Sequence, residues 1–223
     1  EADPAIPAER LFEALREGRM DVARRLLLRL ATDGLPVETL GDDVIAPAMA
    51  RLGELWKGGE EGIAVEHAAT GTVIGALGEI RALYESPKDA PVAVGASLSG
   101  DPYFLPTSLA SLVLSAHGWR AVNLGPDTPV EALLAAVRLH SPTLVWLSLS
   151  GRDSGNSRLP RLENLIERLA PAGCSIVVGG RAAPPRVRGA LVLADISALA
   201  AFAAGLRQRS RRDAPGPEGQ ERG

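Results

Sequence analysis

Cysteine is almost missing from this chain: Cys174 is its single thiol. One thiol closes no internal disulfide, and such usage suits a reducing, cytoplasmic compartment. No apolar run approaches the ~20 residues that a membrane span needs. The first ten residues are polar and acidic, without the apolar core of a signal peptide. Excess positive charge is also lacking. The net charge is -3 and the pI about 5.7, which argues against this chain wrapping nucleic acid by itself. No nucleophile–base set or metal cluster suggests independent catalysis, so the chain reads as a non-enzyme. What remains is a soluble chain of 223 residues, 46% hydrophobic, long enough for two modest domains.

The first half reads as helices. Leu11, Phe12 and Leu15 mark one over 8–17, and Val22, Leu26, Leu27 and Leu30 another over 20–32. A third runs over 37–56 with Pro47 inside it, which predicts a kink there. The fourth covers 63–84 and carries Gly71, Gly75 and Gly78 along one side. Each glycine weakens an isolated helix by roughly 1 kcal/mol, so close approach of a helix or of a flat ligand is expected as compensation. Together they predict a four-helix bundle over 8–85.

A Pro-rich linker at 86–91 then separates two kinds of pattern. Beyond it, short apolar runs near 92–97, 120–125, 143–148, 174–180 and 190–193 alternate with helical stretches. Continuous apolar strands joined by helices predict an α/β domain over 91–207, a five-stranded doubly wound parallel sheet of Rossmann or flavodoxin-like type. In such sheets ligands sit beyond the carboxyl ends of the strands. Residues 208–223, with Arg209, Arg211 and Arg212 among Pro, Gly and Glu, read as a disordered tail.

One stretch organises the helical half. Trp56 is followed by nine residues and then by Glu66-His67, with glycine breaks at Gly58-Gly59 and Gly62 between them. Two antiparallel helices joined by this turn bring the aromatic, the acid and the imidazole to one end of the bundle. The whole pattern resembles the cobalamin-binding sensor module of the MerR-type light-responsive transcriptional repressors. The Trp-to-Glu-His spacing matches that family's signature. Leu124 to Pro129 is similar to its second-strand exit, Ser148 stands at its third-strand serine, and Gly179-Gly180 at its glycine pair.

The resemblance implies a cobalamin between bundle and sheet, sensed to control an upstream DNA-binding domain. Trp56, Glu66 and His67 would cover the upper face of the corrin, and Ser148, Gly179 and Gly180 would line a channel for its nucleotide tail. A sensor of this kind binds adenosylcobalamin and responds to light, and homo-oligomers are compatible with it. The chain begins at Glu1 rather than Met, and the expectation is that a DNA-binding segment precedes it.

The chain departs from the family at the first-strand exit. There the family carries Asp, any residue, His, two residues, Gly, and the His is the lower axial ligand of cobalt. Here Asp101 is in place, Tyr103 stands where the His belongs, and Pro106 where the Gly belongs. A phenol of pKa near 10 is a poor neutral donor compared with imidazole. Lys57 likewise follows Trp56 where some light sensors have a second His. The metal ligand is therefore open. Three readings follow: a cobalamin keeping its own lower base, another tetrapyrrole such as biliverdin or a ferric heme ligated by the Tyr103 phenolate, or a ligand-free interaction module. A corrinoid methyl carrier is disfavoured because such carriers generally use the lower His. Asp101 can equally cap the helix beginning near Leu105.

Overall fold

The computed structural model of the chain describes residues 5–55, 60–151 and 158–213. Its helical half has four arms: α1 (Ala5–Arg16), α2 (Met20–Thr32), a broken third arm, and α5 (Glu60–Arg81). The third arm is α3 (Val37–Thr39), a π-helical turn (Leu40–Ile45) and α4 (Ala46–Leu55). The kink expected at Pro47 is thus a widened turn just before it. Proline lacks an N–H and its ring crowds the carbonyl four residues back. The wide turn relieves that crowding, and the Ala46 N–H reaches the Gly41 carbonyl five residues back.

The second half is a sheet of five parallel strands: β1 (Val92–Ser97), β2 (Arg120–Asn123), β3 (Leu144–Ser148), β4 (Ser175–Gly179) and β5 (Leu191–Val192). Their order is β2-β1-β3-β4-β5. The connections are α6 (Phe104–Ala116), α7 (Val130–His140) and α8 (Arg158–Leu169), and α9 (Ile196–Asp213) follows β5. Strand residues alternate between two cores. Ala93, Leu144, Trp146 and Val177 face α6 and α9, whereas Val94, Val145, Leu147, Ile176 and Val178 face α7 and α8. Gly95 is the close-approach point of the first face. It pairs in register with Trp146, and a Cβ there would lie 2.0 Å from the indole. The Trp146 Nε1–H donates to Thr107 Oγ1 (3.0 Å), whose hydroxyl donates to Asn123 Oδ1 (2.9 Å), so the buried indole is satisfied.

The two halves share one core. Leu11, Leu27, Val73 and Ile80 of the helical half cluster with Leu109, Leu112 and Val113 of α6. The π-helical turn adds a polar joint. Asp42 accepts the Ile196 N–H (3.0 Å), the Ser197 N–H (2.8 Å) and the Ser197 hydroxyl (2.6 Å), so it caps the N-terminus of α9 from the other half of the chain. The segment 82–91 is also tied down: Ser86 Oγ donates to Trp119 O (3.0 Å), and Arg120 N–H to Pro91 O (2.9 Å).

These ties orient the molecule. Segment 82–91 leads from the end of α5 to the start of β1, and Tyr84 and Glu38 lie near His117 at the end of α6. The C-terminal end of α5 therefore lies at the amino ends of the strands. Because α5 packs along α6, its N-terminal end, with Glu66 and His67, points toward the carboxyl ends.

Several boundaries differ from the sequence expectation. Helix α1 starts at Ala5, and α5 begins at Glu60, where Glu60 and Glu61 supply first-turn acids that suit a helix N-terminus. Helix α9 runs to Asp213, so residues 208–213 continue a helix rather than opening a disordered tail; arginine is a good helix former. The close helix approach expected at Gly71, Gly75 and Gly78 is not formed: an added Cβ at any of them would meet nothing within 4 Å. The core-facing side of α5 is instead Ala69, Val73, Ala76, Leu77 and Ile80, and the glycines lie opposite it. Asp42→Ala is expected to lower stability by about 1–2 kcal/mol, as loss of a helix cap does, with a smaller effect for Asp42→Asn. Denaturant unfolding of both variants checks this.

Candidate functional site

The carboxyl ends of the strands form a rim in which each exit loop is bonded to the next. On one side of β1, Ser97 N–H donates to Gly125 O (3.0 Å), Thr128 N–H to Ser97 O (2.9 Å), Ser99 N–H to Thr128 O (3.0 Å) and Asp127 N–H to Asp101 O (2.9 Å). Asp127 has a left-handed φ of 50° and accepts the Gly100 N–H (2.7 Å). On the other side, Asp101 bridges to the β3 exit. Its side chain is only 2% exposed and accepts the N–H groups of Ser150 (2.5 Å) and Gly151 (2.9 Å), as well as that of Tyr103 (3.2 Å). The helix-cap alternative for Asp101 is thus realised only in part. Its main partners lie across the sheet.

Tyr103 stands where β1 gives way to α6. It is 39% exposed, and the Arg181 guanidinium lies over its ring, 4.5 Å from the centroid. Arg181 also donates from Nε to Ser150 O (3.0 Å), which fixes it across the rim. Phe104 beside it is similarly exposed. Arg181 was missed by sequence reasoning. Its signal was its position, the first residue after the Gly179-Gly180 exit of β4.

Ser148 and Ser150 are both buried, and neither hydroxyl has a hydrogen-bond partner among the described residues. The two glycines differ from each other. Gly179 is roomy, with a Cβ 3.6 Å from Leu193 O. Gly180 has a φ of 104°, and a Cβ there would lie 2.4 Å from Leu149 O. Only glycine fits so close to a backbone. Gly180 is therefore explained by contact with the β3 exit itself, which Leu149 N–H to Gly179 O (2.8 Å) and Ala182 N–H to Leu149 O (2.9 Å) complete.

At the lid end, Trp56 and Lys57 lie outside the described residues, as do Arg152 and Asp153 of the β3–α8 loop. Glu66 is half-buried, in line with Ala69 and Val73 on the core-facing side of α5, whereas His67 is exposed on the outward side with Gly71, Gly75 and Gly78. Neither makes a hydrogen bond among the described residues. Leu55 and Ile63, which flank the lid turn, are exposed large apolar side chains. No group of three His, Cys, Asp or Glu side chains among the described residues is placed to hold a metal ion. Nor is any described helix long and apolar enough to cross a membrane. The shifted groups lie away from the rim: burial pushes the Cys174 thiol up, and burial, then the Glu38 charge, raises the Tyr84 phenol. Two surface cavities of about 440 and 380 Å³ also lie elsewhere, against α1 and α4 and between the ends of α7 and α8.

The chain is thus a helical domain docked on a 2-1-3-4-5 parallel sheet, with its lid end on the side of the strand exits. Residues 7–81 match the family model described as B12 binding domain. The chain is 28% identical over 149 residues to the HTH-type transcriptional repressor CarA of Myxococcus xanthus; the match spans 66% of this chain and 48% of that protein. The chain thus spans about half the length of that relative. It also has the fold of the Methanosarcina barkeri monomethylamine corrinoid protein, with a TM-score of 0.67, 18% identity, and coverage of 88% of this chain and 96% of that one. The family match and the similarity to CarA support a cobalamin-binding module with cobalamin as its cofactor, and the structural likeness shows the fold. The rim geometry separates the glycine pair. Gly180→Ala is expected to cost about 2 kcal/mol or more through forced overpacking, whereas Gly179→Ala costs under about 1 kcal/mol. Equilibrium unfolding of the two variants measures the difference.

Proposed function

We propose that this module is a regulatory cobalamin sensor, not itself an enzyme, which holds the cofactor between the lid end of the helical half and the strand-exit rim. The observation that carries this reading is the pair of apolar lips. Leu55 and Ile63 at the lid end and Tyr103 and Phe104 at the rim are large, exposed side chains. Leu83, Leu139 and Leu191 are exposed as well, but these four flank the lid turn and the β1 exit, which the fold brings to one side of the molecule, and apolar surface gathered there suits a contact site. The match of residues 7–81 to the B12 binding domain names the chemistry that suits it.

In this reading Trp56, Glu66 and His67 cover the upper face. The ligand is adenosylcobalamin, light is the signal, and the response passes to a DNA-binding partner segment, as the similarity to a transcriptional repressor supports. Working in the cytoplasm and assembling as a homo-oligomer belong to the same proposal. The regulatory role is favoured over methyl carriage because Tyr103 replaces the donor a carrier uses to tune cobalt. Heme or biliverdin is the second reading; with heme, the Tyr103 phenolate would hold the ferric iron.

The test uses the full chain. Adenosylcobalamin, heme and biliverdin are each added in the dark, free ligand is removed, and spectra are recorded before and after illumination. A retained cobalamin spectrum that changes on illumination is the expected result. His67→Ala and Trp56→Ala are expected to weaken retention by about tenfold, the effect of losing roughly 1.4 kcal/mol of contact. Retention of heme or biliverdin instead would move the chain to the second reading, and no retained colour would sink both.

A further inference from the structure

In an open doubly wound sheet the binding crevice lies at the switch point, where the strand order reverses. In the order β2-β1-β3-β4-β5 that point is between β1 and β3. Here the crevice is filled. The Asp101 carboxylate crosses it to the N–H groups of Ser150 and Gly151. The loops touch as well: a Cβ on Gly151 would lie 3.3 Å from the Asp101 carboxyl carbon and 3.4 Å from Gly100 O. A planar heterocycle between two walls needs roughly 7 Å, two van der Waals contacts.

The β1 exit has nowhere to retreat. Toward β2 it is held by the Ser97, Ser99 and Asp127 backbone bonds, and the β3 exit across from it is held toward β4 by Leu149 N–H to Gly179 O and Ala182 N–H to Leu149 O. Arg181 spans the top from Ser150 O to the Tyr103 ring. The nucleotide tail of a cobalamin thus does not fit into the switch-point crevice of this chain. A base displaced from cobalt would gain neither a channel nor an imidazole at position 103.

We propose that Asp101 latches this crevice, so that the module takes cobalamin with its own dimethylbenzimidazole still on cobalt and its nucleotide tail outside the sheet. The proposal rests on the cobalamin reading above and determines how the site selects its ligand form. With the tail outside, the nucleotide contributes little to affinity. Cobinamide, which lacks it, is a comparable ligand.

The experiment loads the full chain with cob(II)alamin and records its electron paramagnetic resonance spectrum, then measures binding of cobalamin and cobinamide by absorption titration. The expected spectrum is base-on, with the nitrogen splitting unchanged when the protein is labelled with nitrogen-15. Cobinamide is expected to bind within about threefold of cobalamin. In Asp101→Asn, which leaves one acceptor oxygen, the preference for cobalamin over cobinamide is expected to rise about fivefold as the crevice loosens. A base-off spectrum, a label-sensitive splitting, or cobinamide weaker by more than about tenfold overturns the proposal while leaving the cobalamin reading intact. An unchanged preference in folded Asp101→Asn removes Asp101 from the latch role. Failure to retain any corrinoid overturns both.

Discussion

The double burial of α6 is the constraint from which the architecture follows. Residues 107 and 109–115 of this helix are buried, although a helix on the outside of a sheet needs only one apolar face. Its sequence is apolar nearly all round, with Thr107, Ser111 and Ser115 as small polar exceptions, and Ser115 returns its hydroxyl to Ser111 O (2.9 Å). One side of the helix covers β1 and Trp146. The other side completes the core of the helical half, against α5 and the start of the third arm. Neither half closes its apolar surface without this shared helix, so they form one cooperative body instead of two beads on the 86–91 linker. That linker reads as a hinge from its prolines, but Ser86 and Pro91 bind it to the sheet.

Most of the fold was legible in the sequence because its signals were local. Apolar runs bounded by turns gave five strands at their observed places, and helical periodicity gave the arms. The misses have physical causes. The kink at Pro47 takes the form of a π-helical turn just before it, and that turn carries Asp42 to α9, a contact 154 residues away in sequence and invisible to any window. The glycines of α5 face away from the core, so of the two neighbours expected for them, a helix or a flat ligand, no described helix is the one.

The site was legible in kind but not in arrangement. Asp101 was recognised as a rim residue, but its partners are backbone N–H groups of another strand exit, which carry no side-chain signature. Gly179 and Gly180 read as a pair and behave as two different residues, since only Gly180 abuts the Leu149 carbonyl. Arg181 carried no motif at all. It becomes a rim residue only once β4 lies beside β3 and its Nε meets Ser150 O. Such exits are set by strand order, which is a global property.

The location of the ties between the halves separates a tightly held lower part of the helical half from a freer upper part. Ser86 to Trp119, the Glu38–His117 pair (3.5 Å) and the Asp42 cap all lie at or below the level where α9 begins. Above Asp42, α4 and the first turns of α5 rise toward the lid turn with few contacts between them, and Leu55 and Ile63 are uncovered. A ligand shifts an equilibrium only by as much as its affinity differs between the two states. A ligand seated between lid and rim gains new contact only with this upper part, because below it the shared core is already closed. On the reading proposed above, the tips of α4 and α5 would settle onto the ligand while the lower bundle stays fixed on α6. The π-helical turn, just below those tips, is the point in the third arm where its helical bonding changes register.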